Sequence, residues 1–498
     1  KFYAHWCPHC KRFFPKYVAM AQRVQELLEQ HYHSKSVTDH NNNEIESTTT
    51  HPQKRNIKFY AVSCVPHKKL CRQYQIKSYP TIMMFDATTG TDPNNGVVLS
   101  KTDLHPFAIL RKAGIVGADA ENNNGNGGVD HDETFELLMN QYATKTEEDN
   151  KNKNNNNVGD GDTDNNSNNE FWLTRTKTDI YNDAYLSFVF AMENAIFIGQ
   201  GPLSDDATKA FRNWIHLLQK TLPPTWTLSL LVNEIEDQLD DVVQDESKLE
   251  EILSHHPSPV RQWSPSCSRG DISQGYTCGL WQLFHITTIG FVQWRINNVG
   301  GKKFYSTETV GDTLSKYIEH FFACEVCRQN FLLEYEGCAY GRCDRLITKN
   351  GNLEDWKELP LWLSELHNGV NLRLMGERAE REGRVVTSTE LESVQWPARH
   401  HCPSCWRDDG SWDTDKIYLF LLVFYWPEEL IPKVSIRELL GSSSDIDSDE
   451  ESGVESWVFS LVGFFLASTV LSAASCIHKK KLERTGRHKK NDDSSCMD

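Results

Sequence analysis

Clustered positive charge is scarce in this sequence before residue 478. The 498 residues include 52 lysines and arginines against 69 aspartates and glutamates, which gives a formal net charge of −17. Proteins that bind nucleic acid neutralise its phosphates with clusters of lysine and arginine. The composition therefore argues against a nucleic-acid partner and favours an acidic luminal or extracellular protein.

Long apolar runs are also scarce, but the segment 457–477 is uncharged over a length that can span a bilayer. Its 21 residues match the roughly 20 that a transmembrane helix needs. An acidic stretch, 441–456, precedes it, and a basic tail, 478–498, follows it. By the positive-inside rule the tail lies in the cytosol and the rest lies in the lumen or outside. We therefore predict a type I single-pass protein of a secretory-pathway membrane, in the Golgi, the endoplasmic reticulum or at the cell surface.

A recognisable secretion signal is missing from the start of the sequence. Lys1 falls inside an apparent buried strand, 1–6. We expect that preceding residues carried the signal and the first part of the N-terminal fold.

The fourteen cysteines are numerous for a cytosolic protein, and most of them fall into close pairs. Such pairing is typical of an oxidising compartment or of zinc sites. The pairs are Cys7/Cys10, Cys64/Cys71, Cys324/Cys327, Cys338/Cys343, Cys402/Cys405 and, less closely spaced, Cys267/Cys278.

The first pair, in Cys7-Pro8-His9-Cys10, lies between the strand at 1–6 and a predicted helix at 11–31. A helix N-terminus offers unpaired N–H groups and the positive end of the helix dipole, and both favour a thiolate. We therefore assign Cys7 as the attacking thiol and Cys10 as the resolving thiol. Half of a zinc site is the structural alternative, but Trp6 and the strand and helix context favour redox use.

The second pair, Cys324 and Cys327, is spaced i, i+3 on an apolar segment with a helical pattern, so both sulfurs lie within disulfide reach. Segments at 281–285 and 361–374 place aromatic rings, imidazoles and amides at helical spacing. We expect them to pack around the pair. That mixture favours a bound flavin over an ordinary core.

The order of these motifs over residues 267–405 resembles the Erv/ALR sulfhydryl oxidases. The shared order is W-x-x-x-H, C-x-x-C, H-N-x-V-N-x-R-L, V-Q-W-P and C-P-S-C. With Trp6 and the C-P-H-C motif in front, the chain resembles the quiescin sulfhydryl oxidases, in the form with a single thioredoxin module. The resemblance implies FAD as cofactor, with contacts from Trp281, His285, His367, Asn368, Val370, Asn371, Arg373, Leu374 and Trp396.

Further site residues follow from resemblance to the disulfide-isomerase motif for His9, to thioredoxin-like folds for Pro80, and to the sulfhydryl oxidases for the remaining cysteines. A cationic His9 makes the first disulfide a stronger oxidant, and Pro80 is a cis residue that shapes substrate access. Cys324 is the more exposed cysteine of its pair, and Cys327 lies nearer the flavin. No metal site is expected. Structural disulfides are expected for Cys64/Cys71, Cys267/Cys278, Cys338/Cys343 and Cys402/Cys405.

The resemblance also implies a reaction. A thiolate of a reduced client protein attacks the Cys7–Cys10 disulfide, and a second client thiolate resolves the mixed disulfide. The reduced pair then attacks Cys324, and electrons pass through Cys327 to FAD and on to dioxygen, which becomes hydrogen peroxide. The protein would thus form disulfides in secretory-pathway clients and assist their folding.

We predict a multidomain chain that is α/β at the front and all-α behind it. A thioredoxin-like module with Asn-rich inserts spans 1–146, a linker 147–169, and a cysteine-free helical spacer 170–258. An Erv/ALR-type FAD-binding helical bundle spans 259–440, before the acidic linker, transmembrane helix and basic tail. The Asn165-Asn166-Ser167 sequon predicts a glycoprotein.

Three positions depart from the commoner family pattern. Gln274, Asn330 and Ser393 stand where many members carry arginine, histidine and lysine. Each change removes a possible cation near the FAD phosphates or adenine, so FAD binds less tightly or its charge is met by Arg373, Arg399 or His400.

Two other functions remain open from the sequence. A membrane-anchored thiol exchanger of the disulfide-isomerase type would use Cys7 and Cys10 without a flavin. A zinc-binding adaptor would combine Cys324, Cys327, Cys402 and Cys405 as four thiolate ligands. The long gap between those two pairs and the surrounding aromatic, His and Asn residues argue against zinc.

Overall fold

The structure is a computed structural model, and it describes residues 1–39, 56–86, 92–116, 135–139, 141–142, 176–198, 202–258, 260, 262–268, 275–298, 305–349 and 351–431. These residues belong to one compact unit, Lys1–Ile431. The predicted linker at 147–169, the sequon, Gln274 and the apolar segment 457–477 lie outside the described residues. Within the described part, no helix combines the length and the apolar character that crossing a bilayer requires.

The described chain is mostly helical, as the sequence predicts for its middle and C-terminal parts. Its short strands are β1 (Phe2–Tyr3), β2 (Val62–Ser63), β3 (Met83–Met84) and β4 (Val97–Val98). Its helices are α1 (Pro8–Asp39), α2 (Lys68–Gln73), α3 (Pro106–Lys112), α4 (Lys177–Asn194), α5 (Asp205–Thr221), α6 (Thr227–Asp237), α7 (Leu239–Val242), α8 (Glu246–His255), α9 (Pro265–Ser268), α10 (Gly275–Asn297), α11 (Thr307–Phe321), α12 (Glu325–Glu336), α13 (Arg342–Arg345), α14 (Leu353–Arg381), α15 (Ser388–Ser393) and α16 (Thr414–Tyr425).

The N-terminal segment is built on two small strand pairs and the long helix α1. β1 runs parallel to β2, with Phe2 opposite Val62, and Phe2 also exchanges backbone hydrogen bonds with Thr81. β3 and β4 are antiparallel. The buried face of α1, including Met20 and Val24, packs with α3 into one apolar core. The thioredoxin assignment of this segment stays a prediction.

Helix α10 lies at the centre of the helical body. Its residues are buried on all sides, and it contacts α4, α5, α14 and α16. Two glycines allow close packing: a Cβ at Gly279 would overlap the carbonyl oxygen of Asp183, and one at Gly290 would overlap that of Thr221. The central helix therefore anchors the segments before and after it in sequence.

The helical spacer and the cysteine-rich bundle share a single core. Trp214 of α5 is fully buried, and its ring lies 4.6 Å from that of Tyr317 on α11 and 5.8 Å from that of Phe284 on α10. Phe211 packs against Phe321 in the same layer. Side chains from before and after the expected boundary at 258 therefore pack in the same core.

Candidate redox active site

Cys7 and Cys10 lie at the start of α1, and both are buried and reduced. The backbone N–H of Cys10 donates to the carbonyl of Cys7 at 3.0 Å. A hydrogen bond from the Cys10 thiol, the N–H groups of Cys10 and His9 and the charge of Arg12 lower the pKa of Cys7, although burial opposes them. The hydrogen bond with Cys7 and burial raise the pKa of Cys10. Cys7 is therefore the thiol that ionises first and can attack.

His9 lies between the two cysteines, but it does not carry the expected positive charge. Burial and the neighbouring Arg12 lower the pKa of His9 to about 4, so its ring is neutral at neutral pH. Arg12 contacts the ring directly, with Nη2 2.9 Å from His9 Nδ1. The interpretation of a cationic His9 is wrong for this arrangement because Arg12 supplies the positive charge instead.

Cys324 and Cys327 form a disulfide with their Cα atoms 5.3 Å apart. The predicted single helix is interrupted here: α11 ends at Phe321, and Cys324 is the N-cap of α12. Cys324 is fully buried, whereas Cys327 is half-buried. The expectation that Cys324 is the more exposed cysteine is therefore wrong in this state, because the N-terminal segment covers it.

The backbone of Tyr79 joins the two cysteine pairs. Its N–H donates to the carbonyl of Ala323 at 2.8 Å, and its carbonyl accepts from the N–H of Glu325 at 3.3 Å. The Tyr79 carbonyl also accepts from the Cys7 thiol at 3.7 Å. One peptide segment thus contacts both redox motifs, and the Tyr79–Pro80 bond that ends it is cis.

Aromatic contacts surround this junction. The buried ring of Trp6 lies 4.8 Å from that of Tyr276, 5.7 Å from that of Phe322 and 6.3 Å from that of Phe190. It also meets Tyr79 edge-on at 6.2 Å. These contacts bury apolar surface where three separate parts of the chain meet.

One group of possible metal ligands occurs among the described residues. Ring nitrogen and sulfur atoms of His9, Cys324 and Cys327 lie within 4.8 Å of one another. The alternative four-thiolate zinc set does not assemble in the described structure, because Cys402 is disulfide-bonded to Cys405 and Cys324 to Cys327. The short distances from His9 to Cys324 and Cys327 show that the N-terminal motif lies next to the second disulfide.

A recess that is partly open to solvent lies between α10, α14, α16 and the chain after α15. It is walled by rings and polar side chains. Its lining residues are Gln282, His367, Asn371, Ser393, Val394, Gln395, Trp396, Ala398, His400, His401 and Tyr425.

The predicted Trp281, His285 and His367 form a ring cluster at the edge of this recess. The rings of Trp281 and His367 stack with centroids 4.1 Å apart, and His285 Nε2 lies 3.0 Å from His367 Nδ1. The ring of His285 also stacks on that of Tyr425 at 4.7 Å. Their i, i+4 spacing on α10 brings Trp281 and His285 to the same face, as the sequence predicts.

Asn368 and Asn371 bond the segment 394–396, which forms the wall of the recess opposite α14 and is called the far wall. Asn368 Nδ2 donates to the Trp396 carbonyl at 2.7 Å, and the Trp396 N–H donates to Asn368 Oδ1 at 2.8 Å. Asn371 Nδ2 donates to the Val394 carbonyl at 3.1 Å. The helix-propensity cost of these asparagines is therefore offset by backbone contacts as well as by any ligand.

Of the nine predicted contact residues, His367, Asn371 and Trp396 line the recess, and six do not, among them Val370, Arg373 and Leu374. Val370 and Leu374 lie elsewhere on α14, and Leu374 is 40% exposed. Arg373 Nη1 instead donates to Glu377 at 2.8 Å. Helix α14 thus presents His367 and Asn371 to the recess and, farther along, Arg373 and Glu377 to the N-terminal segment.

Sequence reasoning missed Gln282 and His401. Gln282 Oε1 and both ring nitrogens of His401 are buried and lack a hydrogen-bond partner. Burial and the adjacent His400 lower the pKa of His401 to about 4, so its neutral ring can both donate and accept. Buried polar atoms of this kind need a partner, and a heteroaromatic ligand in the recess would provide one. Their positions beside Trp281 and after V-Q-W-P are the signal that could have found them.

The remaining close cysteine pairs are bonded within the described residues. The structure pairs Cys64 with Cys71, Cys267 with Cys278, Cys338 with Cys343 and Cys402 with Cys405. Of the positions that depart from the family pattern, Ser393 lines the recess and Asn330 lies half-buried on α12.

Comparison with known proteins identifies the segment that carries the second disulfide. Residues 278–397 match the Erv1/Alr family. Parts of the chain are similar to several sulfhydryl oxidases. Sulfhydryl oxidase 1 of Oryza sativa subsp. japonica is 29% identical over 232 residues, which cover 44% of this chain and 40% of that protein. Sulfhydryl oxidase 1 of Gallus gallus is 32% identical over 151 residues, which cover 30% of this chain and 17% of that protein.

The chain thus spans two fifths or less of these relatives. Among solved structures, the sulfhydryl oxidase fragment of human QSOX1 matches with a TM-score of 0.37 and 20% identity, over 49% of this chain and 94% of that one. The resemblance predicted from the motifs is confirmed by the family match and the relatives.

Proposed function

We propose that the protein is a flavin-linked thiol oxidase that forms disulfides in client proteins. Electrons would pass from client thiols to Cys7/Cys10, then to Cys324/Cys327, and finally through FAD to dioxygen. The hydrogen bonds of Tyr79 to Ala323 and Glu325, together with its contact to Cys7, carry this proposal. They support direct exchange between the two cysteine pairs.

The first exchange oxidises the client. A client thiolate attacks Cys7 in the Cys7–Cys10 disulfide, which releases the Cys10 thiolate, and Cys10 takes up a proton. A second client thiolate attacks the client sulfur of the mixed disulfide and releases Cys7 as thiolate. The lowered pKa of Cys7 makes it the better leaving group.

The second exchange reoxidises the N-terminal pair. The Cys7 thiolate attacks Cys324, and Cys327 leaves as a thiolate. Cys10 then loses its proton, attacks Cys7 and releases Cys324, so that one disulfide forms as the other is reduced. The N–H groups at the start of α12 favour negative charge on the released sulfurs.

The recess supports FAD as the cofactor. His367, Asn371, Trp396, Gln282 and His401 would hold it, since together they offer ring surface and polar side chains. Gln282 Oε1 and both ring nitrogens of His401 are buried without a hydrogen-bond partner. When bound, FAD would accept two electrons and return them to dioxygen, which yields hydrogen peroxide. The Trp281, His285 and His367 cluster would support the nucleotide end.

We further propose that the protein works in the secretory pathway, anchored by 457–477 with its redox sites on the luminal or extracellular side. The disulfides at Cys64/Cys71 and Cys267/Cys278 favour an oxidising compartment. Reduced client proteins and dioxygen would be its substrates there.

The decisive experiment is a spectrum and an oxygen-consumption assay on protein supplied with FAD. We expect a flavin absorbance band that bleaches when dithiol is added without air and returns with air. Cys327→Ser should abolish oxygen consumption while the band remains, and Cys402→Ser should retain most turnover. A protein that stays colourless with added FAD, or a Cys327→Ser variant with unchanged turnover, would contradict the proposal and leave a thiol exchanger.

A further inference from the structure

Ion pairs join the N-terminal segment to the helical body at two places. Arg12 on α1 pairs with Glu377 near the end of α14. Lys68 and Arg72 on α2 both pair with Glu246 in the first turn of α8, and Lys68 Nζ lies 2.5 Å from Glu246 Oε1. Each carboxylate lies far from its partners in sequence, so both pairs exist only when the segments are docked.

These side chains are partly shielded from solvent. Their exposed fractions range from 17% to 31%, so salt screens them less than it screens fully exposed charges. Arg72 Nε also donates to the Phe197 carbonyl at 2.8 Å. Burial opposes ionisation of Glu377, but hydrogen bonds and charges from Arg12 and Arg373 lower its pKa overall. The carboxylate is therefore ionised at neutral pH.

We propose that Glu377 and Glu246 are positioning residues that dock the N-terminal dithiol onto the second disulfide. Glu377 pairs with Arg12, and Glu246 pairs with both Lys68 and Arg72. The contacts of Trp6 and Tyr79 act only at short range, whereas charges attract over longer distances and raise the rate of encounter. This inference rests on the proposed function.

The ion pairs suit an N-terminal segment that must dock and undock in each catalytic cycle. The N-terminal pair must meet a client and then return to Cys324, which is fully buried when docked. Ion pairs provide attraction that is lost on separation at little cost, because both partners regain water. The docking rate should therefore fall as salt is added.

Other ion pairs in the same helices serve as matched controls. Lys248 pairs with Glu251 within α8, and Arg378 pairs with Glu382 at the end of α14. Both pairs are local, at i, i+3 and i, i+4, and do not depend on docking. Their carboxylates can be neutralised without touching the interface.

The test traps the docked state without any flavin. In full-length protein carrying Cys476→Ser and Cys496→Ser, the variants Cys10→Ser and Cys327→Ser leave Cys7 and Cys324 as the redox pair. Oxidised glutathione converts these two thiols into one disulfide and is itself reduced to two glutathione molecules. The rate of Cys7–Cys324 bond formation is followed by mobility on non-reducing gels and by peptide mass.

We expect Glu246→Gln and Glu377→Gln each to slow trapping by roughly two- to fivefold, with a larger effect in the double variant. Added salt should slow the parent protein but have little effect on the double variant. Glu251→Gln and Glu382→Gln should trap at the parent rate. Lys68→Glu with Arg72→Glu should slow trapping, and adding Glu246→Arg should restore part of it, which a purely structural role would not produce.

Equal rates and equal salt dependence in the parent and the double Gln variant would overturn the docking role while leaving the exchange between the two pairs intact. A parent protein that forms no Cys7–Cys324 disulfide at all would overturn both the docking role and the proposed function.

Discussion

Arg12 is the residue whose charge reaches both Cys7 and His9. It lowers the pKa of Cys7 and, with burial, that of His9. The C-x-x-C motif includes His9, so the sequence draws attention to the imidazole. The structure shows that the cation two residues beyond the motif has that electrostatic role.

Replacing Arg12 by Gln tests this at the residue scale. The pKa of Cys7 should rise. As the pH is lowered, the Cys7 thiolate should therefore become protonated at a higher pH than in the parent. The rate of exchange with a reduced client protein at neutral pH should drop by roughly two- to fivefold, and its pH profile should shift upward. Arg23→Gln, on the same helix, should leave the midpoint of the pH profile unchanged. An equal shift of the midpoint in Arg23→Gln would contradict a specific role for Arg12.

Asn368 is a second residue whose contacts the structure defines. Its amide satisfies both the N–H and the carbonyl of Trp396. Asn368→Ala should lower the free energy of unfolding by about 1–3 kcal/mol, since both backbone groups lose their partner. It should also reduce the flavin bound per protein.

Urea unfolding and flavin absorbance measure these two effects. Asn298→Ala, just after the end of α10, is the control, because Asn298 is exposed and its side chain bonds the Trp294 carbonyl. Full flavin content and unchanged stability in Asn368→Ala would show that the far wall does not need this side chain.

At the scale of elements, α10 depends on the absence of side chains at its closest contacts. Gly290→Ala would place a Cβ against the Thr221 carbonyl oxygen. Overpacking of this kind should destabilise the fold by about 1–3 kcal/mol. Gly376→Ala on α14 has no atom within 4 Å of the added Cβ, and it should stabilise the helix by about 0.5–1 kcal/mol. Thermal unfolding of the two variants should therefore move in opposite directions.

The break between α11 and α12 is the element-scale feature that lets the N-terminal segment bond beside Cys324. Because Cys324 precedes the helix, its neighbour Glu325 has a backbone N–H free to bond Tyr79. A continuous helix would have used that N–H internally. The N-terminus of α12 therefore serves as a docking edge for an extended segment.

For the whole molecule, docking should depend on pH through His9. The charged groups that face it are Arg12, Glu377, Arg373 and Lys101. Its pKa is about 4 when docked and, exposed, should be near its ordinary value of about 6.5. The undocked state therefore binds more protons between these values, and docking should weaken as pH falls from about 6.5 toward 4. Glu377, with its lowered pKa, adds to the loss at the acidic end.

Hydrogen exchange at the amide of Glu325, corrected for intrinsic pH dependence, measures this. Its protection should fall over that range, whereas amides of the buried α10 should stay protected. In His9→Gln, protection of the Glu325 amide should no longer change with pH, except at the acidic end where Glu377 becomes protonated. The same pH dependence in parent and variant would show that another group controls docking.

The sequence by itself determined the close spacing of the cysteine pairs, the shared helix face of Trp281 and His285, and the helical nature of the body. Each of these rests on spacing along the chain: two cysteines three apart, a Trp and a His four apart, and apolar positions at the helical period. The order of the motifs was enough to indicate a sulfhydryl oxidase relative. Local spacing is visible in sequence because it needs no distant partner.

Only the tertiary structure decided which residues meet across the chain. Cys324 is buried because Tyr79 pairs with Ala323 and Glu325. His9 is neutral chiefly because packing removes water from it, and the nearby Arg12 on the same helix adds to this. Arg373 points to Glu377 and away from the recess, whereas Gln282 and His401 point into it. Burial and charge at a site depend on segments hundreds of residues apart, and their packing is a property of the folded molecule that no local pattern contains.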